Sequence, residues 1–185
     1  CKTDKLTYQL PFDYDEGAKC PLFDKFLLKV LPDCESRNVL SEFLGWAFLK
    51  DLKLEKALFL YGSGHNGKSV IFDIVNALLG MNNIENLSLS SLSKLENRFR
   101  LGTVLLNFGS DINNRCDIDL FKRLTSGEPV EARRLYKDVF TLRNYGRLAF
   151  NANCLPTNTE HTEGFFRRFL IVPFTVTIKE EEKEK

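Results

Sequence analysis

Between an apolar run and a helical repeat, the sequence carries a glycine-rich stretch that leaves few choices of fold. Ala57-Leu58-Phe59-Leu60-Tyr61 is followed by Gly62-Ser63-Gly64-His65-Asn66-Gly67-Lys68-Ser69. The apolar residues are continuous rather than alternating, as expected of a strand buried on both faces of a parallel sheet. After the loop, Val70, Ile71, Ile74, Val75, Leu78 and Leu79 recur at helical spacing, and Gly80 stands where a helix would end. Strand, glycine loop and helix in that order are the setting that a G-x-x-x-x-G-K-[ST] loop needs to cradle phosphate. Gly62, Gly64 and Gly67 let successive backbone N–H groups turn toward one centre, and the helix N-terminus adds partial positive charge. Lys68 is then placed for the β- and γ-phosphates of a nucleotide and Ser69 for Mg²⁺. Ser63, His65, Asn66 and Val70 complete the expected binding segment, with His65 and Asn66 read as loop fillers.

The remaining patterning suits an α/β fold. Residues 1–20 read as an extended lead-in. Phe23, Phe26, Leu27 and Val30 form one helical stripe; Val39, Leu40, Phe43, Leu44, Ala47 and Phe48 form another, with Pro32-Asp33 breaking between them. Further strands are expected at 84–89, 103–108, 147–151 and 169–174, and helices near 90–99 and 118–125. A hairpin over 130–136 and 139–143 is expected to turn at Lys137-Asp138. Strands interleaved with helices predict an open, mostly parallel sheet flanked by helices. The expected division is a lead-in and helical prefix (1–55), a P-loop core (56–178) and a charged, disordered tail (179–185).

Composition mainly excludes. At 185 residues and a formal net charge of +1, the chain fits one domain, and only local clustering could attract a polyanion. Cys1, Cys20, Cys34, Cys116 and Cys154 are odd in number and widely spaced, which predicts free thiols rather than a zinc site or disulfide framework. No apolar run approaches the roughly 20 residues of a membrane span, and no signal peptide is visible. The chain opens on Cys1 rather than Met, so a piece of a longer protein is expected.

Three further features could complete a nucleotide site. Asp111 follows the apolar stretch Val104-Leu105-Leu106-Asn107-Phe108 and is expected to help Ser69 hold Mg²⁺, although Ser110 stands where a second acid is usual. Leu148-Ala149-Phe150-Asn151-Ala152-Asn153 leads a strand into amides, one of which could orient an attacking water; such amides before a proline are equally ordinary turn chemistry. Arg167 and Arg168 precede the last apolar run, as a charge-stabilising pair or as surface arginines. Between the acid and the amides, Lys122, Arg123, Arg133, Arg134, Lys137, Arg143 and Arg147 interleave with Tyr136, Phe140 and Tyr145, a pattern open to a nucleic-acid groove or a solvated face.

Taken as ordered blocks, these residues resemble the superfamily 3 helicases, in particular the helicase domain of phage and plasmid primase-helicases of the poxvirus type. The resemblance runs from about Leu10 to Phe174. It rests on the G-x-x-x-N-G-K-S loop, Phe121-Lys122-Arg123-Leu124-Thr125-Ser126-Gly127, the 133–137 stretch, Asn153-Cys154-Leu155-Pro156 and Gly164-Phe165-Phe166-Arg167-Arg168. It implies an AAA+-like core that binds ATP and Mg²⁺ and assembles as a hexameric ring around single-stranded DNA, in the cytoplasm of a bacterial host or a phage-infected cell. It further implies Asn153 as the sensor of the γ-phosphate, Arg167 or Arg168 as a finger into the neighbouring site, and Lys122, Arg133, Arg134 and Lys137 as DNA contacts on or near the hairpin. Ser110 departs from the acidic pair of many relatives. Two alternatives stay open: another P-loop ATPase such as an initiator or packaging motor, and a nucleotide-binding assembly module with weak hydrolysis.

Overall fold

In the computed structural model, residues 8–49, 54–110, 117–155 and 162–178 are described. The strands among the described residues are β1 (Ala57–Tyr61), β2 (Ile84–Glu85), β3 (Leu106–Ser110), β4 (Val130–Arg133), β5 (Val139–Leu142), β6 (Arg147–Ala152) and β7 (Phe169–Pro173). Five of them form one sheet in the order β2-β3-β6-β1-β7, every neighbouring pair parallel, while β4 and β5 form a separate antiparallel hairpin. The helices are α1 (Pro21–Val30), α2 (Cys34–Ala47), α3 (Lys68–Leu79), α4 (Leu95–Leu101), α5 (Ile118–Ser126) and α6 (Glu163–Phe166). The α/β class with a parallel sheet flanked by helices is therefore present.

Strand alternation divides the core in two. Leu58 and Leu60 of β1, Leu106 and Phe108 of β3 and Ala149 of β6 pack with α1, α2 and α3. Ala57 and Phe59, with Leu148, Phe150 and Ala152, pack instead with α5 and α6. Phe59 anchors the second layer, its ring 4.6 Å from that of Phe169 and 5.5 Å from that of Phe150. Burial on both faces is why β1 reads as an unbroken apolar run and why Leu148, Ala149 and Phe150 stand together in β6.

Local chemistry sets the element ends. Pro21 opens α1, where its missing N–H costs nothing. The Asp33 carboxylate accepts from the Ser36 N–H at 2.7 Å and caps α2; this bonding to Ser36 holds its pKa below the usual aspartate value. Gly80, at φ 77°, closes α3.

Several expected elements differ: the strand foreseen over 103–108 runs from Leu106 to Ser110, and the first hairpin strand ends at Arg133. The strand foreseen over 84–89 pairs only at Ile84 and Glu85. Beyond that, the buried Asn107 amide takes over the backbone's role: its Oδ1 accepts from Leu87 N–H and its Nδ2 donates to the Leu87 carbonyl, both at 2.9 Å. The helix foreseen near 90–99 is a short 3₁₀ turn (Ser91–Ser93) followed by α4, because Ser88, Ser90 and Ser91 bond one another and nearby carbonyls instead of continuing a helix.

Candidate nucleotide site

The loop 62–67 leaves the C-terminal end of β1 and turns into α3 through left-handed backbone at Gly64 (φ 112°), His65 (φ 51°) and Gly67 (φ 86°). Two glycines are required sterically as well. A Cβ on Gly62 would lie 2.1 Å from Asn66 Nδ2 and 2.6 Å from the Phe174 carbonyl oxygen, and one on Gly67 would lie 2.9 Å from Val30 Cγ1. The curl is thus held between α1 on one side and the chain that follows β7 on the other.

Asn66 is more than a loop filler. Its buried amide donates to the Phe174 carbonyl at 3.1 Å and accepts from Lys68 Nζ at 3.0 Å. Lys68 Nζ also donates to the Gly62 carbonyl at 2.6 Å. The ammonium is therefore buried among neutral oxygens, and loss of solvent lowers its pKa from the ordinary lysine value. A further strap, the Ile178 N–H on the His65 carbonyl at 2.8 Å, brings residue 178 to the rim.

These groups line a cavity of about 520 Å³ together with Ser69, Val70, Ser110, Asn151 and Asn153. Ser110 ends β3, and Asn151 lies beside it in register, with Leu60 on the other side. The cavity therefore sits beyond the carboxyl ends of adjacent parallel strands, where open α/β sheets bind ligands. A magnesium nucleotide fits this donor set. The volume lies within the range of about 300–1,000 Å³ for small-ligand sites. A Cβ on Gly64 would meet nothing within 4 Å, and the buried Asn151 Oδ1 has no hydrogen-bond partner among the described residues. Asp111, the expected acid, lies outside the described residues, as do Cys1, Cys116 and the tail 179–185.

The other expected residues lie elsewhere. Arg167 and Arg168 precede β7, whose first residue pairs with Ala57, so they stand at the end of the strands opposite the cavity, roughly 13 Å of strand away. Arg168 is buried and donates to the Gly164 carbonyl and to Ser126 Oγ. Arg167 is exposed and paired with Glu55 at 2.7 Å. In the hairpin, Arg133 is paired with Glu96 of α4, Arg134 stacks 4.7 Å over the Phe99 ring, and Lys137 is exposed at the turn beside Tyr136. Lys122, on α5, is half-buried. Arg147 lies over the Trp46 ring at 4.4 Å and donates to the Leu49 carbonyl, so it braces α2.

Residue spacing gives no means of finding Ile178, which only the crossing strap brings to the cavity. Asn151 does carry a signal, since it is two residues before Asn153 and strand residues two apart share a face.

Residues 60–168 match the family of unknown function DUF5906. The chain belongs to that family. This DUF5906 chain is also 27% identical over 158 residues to the protein named Putative helicase L207/L206 of Acanthamoeba polyphaga mimivirus; the match takes in 80% of this chain and 16% of that protein. In fold it resembles the C-terminal region of NrS-1. One apo structure of that region superposes with a TM-score of 0.71 over 96% of this chain, and another with 0.73 over 91%, each at 17% identity. The chain spans 41% of either NrS-1 chain.

Proposed function

We propose that this DUF5906 chain is the ATP-hydrolysing motor of a DNA helicase of the superfamily 3 kind. One observation carries the reading: the left-handed loop, the buried Lys68, Ser69 and the polar ends of β3 and β6 converge on one cavity. Similarity to a helicase-named viral protein supports it.

In this reading the N–H groups of the loop and of the α3 N-terminus bind the phosphates, and Lys68 exchanges its neutral partners for phosphate oxygens. Ser69, with Asp111, would hold Mg²⁺, which when bound neutralises charge on the β- and γ-phosphates. Asn153, exposed just past β6, contacts the γ-phosphate. Arg167 is better suited than Arg168 to serve as the finger, because the Arg168 guanidinium is buried and already bonded. Since both stand far from their own chain's cavity, the finger has to act on a neighbouring subunit's nucleotide, which calls for a ring. The exposed hairpin turn at Tyr136-Lys137 supplies the contact to single-stranded DNA.

The test is ATP turnover by the full-length protein with and without single-stranded DNA, alongside Lys68→Ala. Turnover that DNA stimulates and Lys68→Ala abolishes is expected. Equal rates in wild type and Lys68→Ala would overturn the proposal.

A further inference from the structure

Among the described residues, the non-glycine positions with left-handed backbone are Glu55, His65 and Tyr136. His65 lies in the phosphate loop and Tyr136 at the hairpin turn, each within a proposed site. Glu55, at φ 50°, lies in neither. An L residue enters this region at a cost, and such strain persists where surrounding structure or a function holds it.

This backbone turns the Glu55 carboxylate onto the arginines that precede β7. Its Oε2 lies 2.7 Å from Arg167 Nη2 and 3.8 Å from Arg168 Nη2. Next along the chain, Lys56 Nζ donates to the Arg167 carbonyl, and the Ala57 N–H donates to the Arg168 carbonyl at 2.9 Å. Arg168 is itself fixed, donating to the Gly164 carbonyl and to Ser126 Oγ of α5. Arg167 is thus held at main chain and guanidinium alike by the residues that enter β1. The same strand delivers the phosphate loop at its other end. Stability is a poor account of this arrangement, because both side chains of the Glu55–Arg167 pair are about half exposed and such pairs add little to a fold. Orientation is a better one. An untethered arginine samples many rotamers, whereas a guanidinium held at Nη2 keeps its remaining donors in a fixed direction.

Resting on the reading of Arg167 as the finger, we propose that Glu55 is a positioning residue: its carboxylate holds the Arg167 guanidinium in the pose that meets a neighbouring subunit's γ-phosphate. The contact persists as the finger engages, since the ion pair occupies Nη2 and leaves Nη1 and Nε for phosphate oxygens. A charge-stabilising group set in place before the reaction needs no reorganisation during it. The opposite arrangement, a latch that must open before the finger reaches out, predicts an opposite result.

The test compares ATP turnover by full-length wild type, Glu55→Gly and Glu55→Gln. Glycine removes the carboxylate and suits left-handed backbone, so the thermal midpoint of Glu55→Gly stays unchanged or rises. Its kcat is expected to fall about 10–100-fold, the effect of a misplaced group at a reacting centre. KM and ADP affinity stay within about twofold, because the finger acts in the transition state. Glu55→Gln keeps an acceptor for Nη2 and recovers most of the loss. Mixed assemblies then identify which site is affected. Glu55→Gly with Lys68→Ala should turn over faster than either alone, because an intact finger meets an intact loop; Glu55→Gly with Arg167→Ala should not. Wild-type kcat in Glu55→Gly would overturn the assignment, as would a raised kcat, which marks the latch. So would a parallel loss of nucleotide affinity, or a Glu55→Gln no faster than Glu55→Gly. Recovery with Arg167→Ala in place of Lys68→Ala also counts against it, since Glu55 would then support its own chain's loop. The underlying reading fails separately: full turnover in Arg167→Ala removes the finger, and a wild type that does not hydrolyse ATP removes the motor.

Discussion

In the proposed phosphate site, Lys68 concentrates the conflict of the free state. A cation buried among neutral oxygens loses hydration without gaining a counter-charge, which explains its lowered pKa. For a base shifted this way the sign is clear. Without nucleotide, both states hold the proton below the depressed value and the full cost of burying the charge is present; between that value and the ordinary lysine range the unfolded chain holds the extra proton, so the fold gains stability with rising pH, and above that range the cost is gone. Nucleotide affinity moves oppositely, because only the ammonium attracts phosphate. Titrating affinity upward from neutral pH should therefore show a loss before an unperturbed lysine would deprotonate, and Lys68→Arg should flatten that limb. An affinity independent of pH up to the ordinary lysine range would contradict this. Asn66, beside it, ties the loop to the Phe174 carbonyl. Asn66→Ala leaves that buried carbonyl and the ammonium each short of a partner, so chemical denaturation should show a loss of about 1–3 kcal/mol.

At the scale of elements, the hairpin β4–β5 is fastened to α4 by side chains that the family resemblance assigns to DNA. The Arg133 guanidinium bonded to Glu96 holds the Glu96 carboxyl below its usual range, and Phe99 packs against both Phe140 and Arg134. Charges committed to docking the hairpin differ from charges left for a ligand. Lys137→Ala is expected to lower the dependence of DNA affinity on salt by about 0.7 in the log–log slope, the contribution of one released counterion on a single strand. Arg133→Ala should instead loosen the hairpin, seen as faster amide exchange in β4 and β5. A Lys137→Ala slope equal to wild type would remove the turn from the DNA contact. The helical prefix is structural in a comparable way. Val30 and Phe26 of α1 press on Gly67, so α1 buttresses the loop.

At the scale of the whole molecule, the cavity and the arginines lie at opposite ends of the strands of one parallel sheet. If Arg167 is the finger, as proposed, it can reach a nucleotide only in a second copy. Mixing equal amounts of Lys68→Ala and Arg167→Ala, each inactive alone, should restore turnover at about a quarter of the interfaces, those pairing an intact loop with an intact finger. No recovery in assembled mixed rings would place the finger elsewhere. The strand–loop–helix unit was legible from residue order, because left-handed turns favour glycine and a doubly buried strand must be continuously apolar; these are short-range rules. The apolar faces of α1, α2, α3 and the sheet were legible on the same grounds. Which polar groups meet was settled by packing instead. Ser110 and Asn151 became neighbours through the pairing of β3 with β6, Ile178 reached the loop over a crossing strap, and Arg168 was buried while Arg167 stayed in solvent. Each of these depends on register and packing between segments far apart in the chain, and residue spacing carries no record of either.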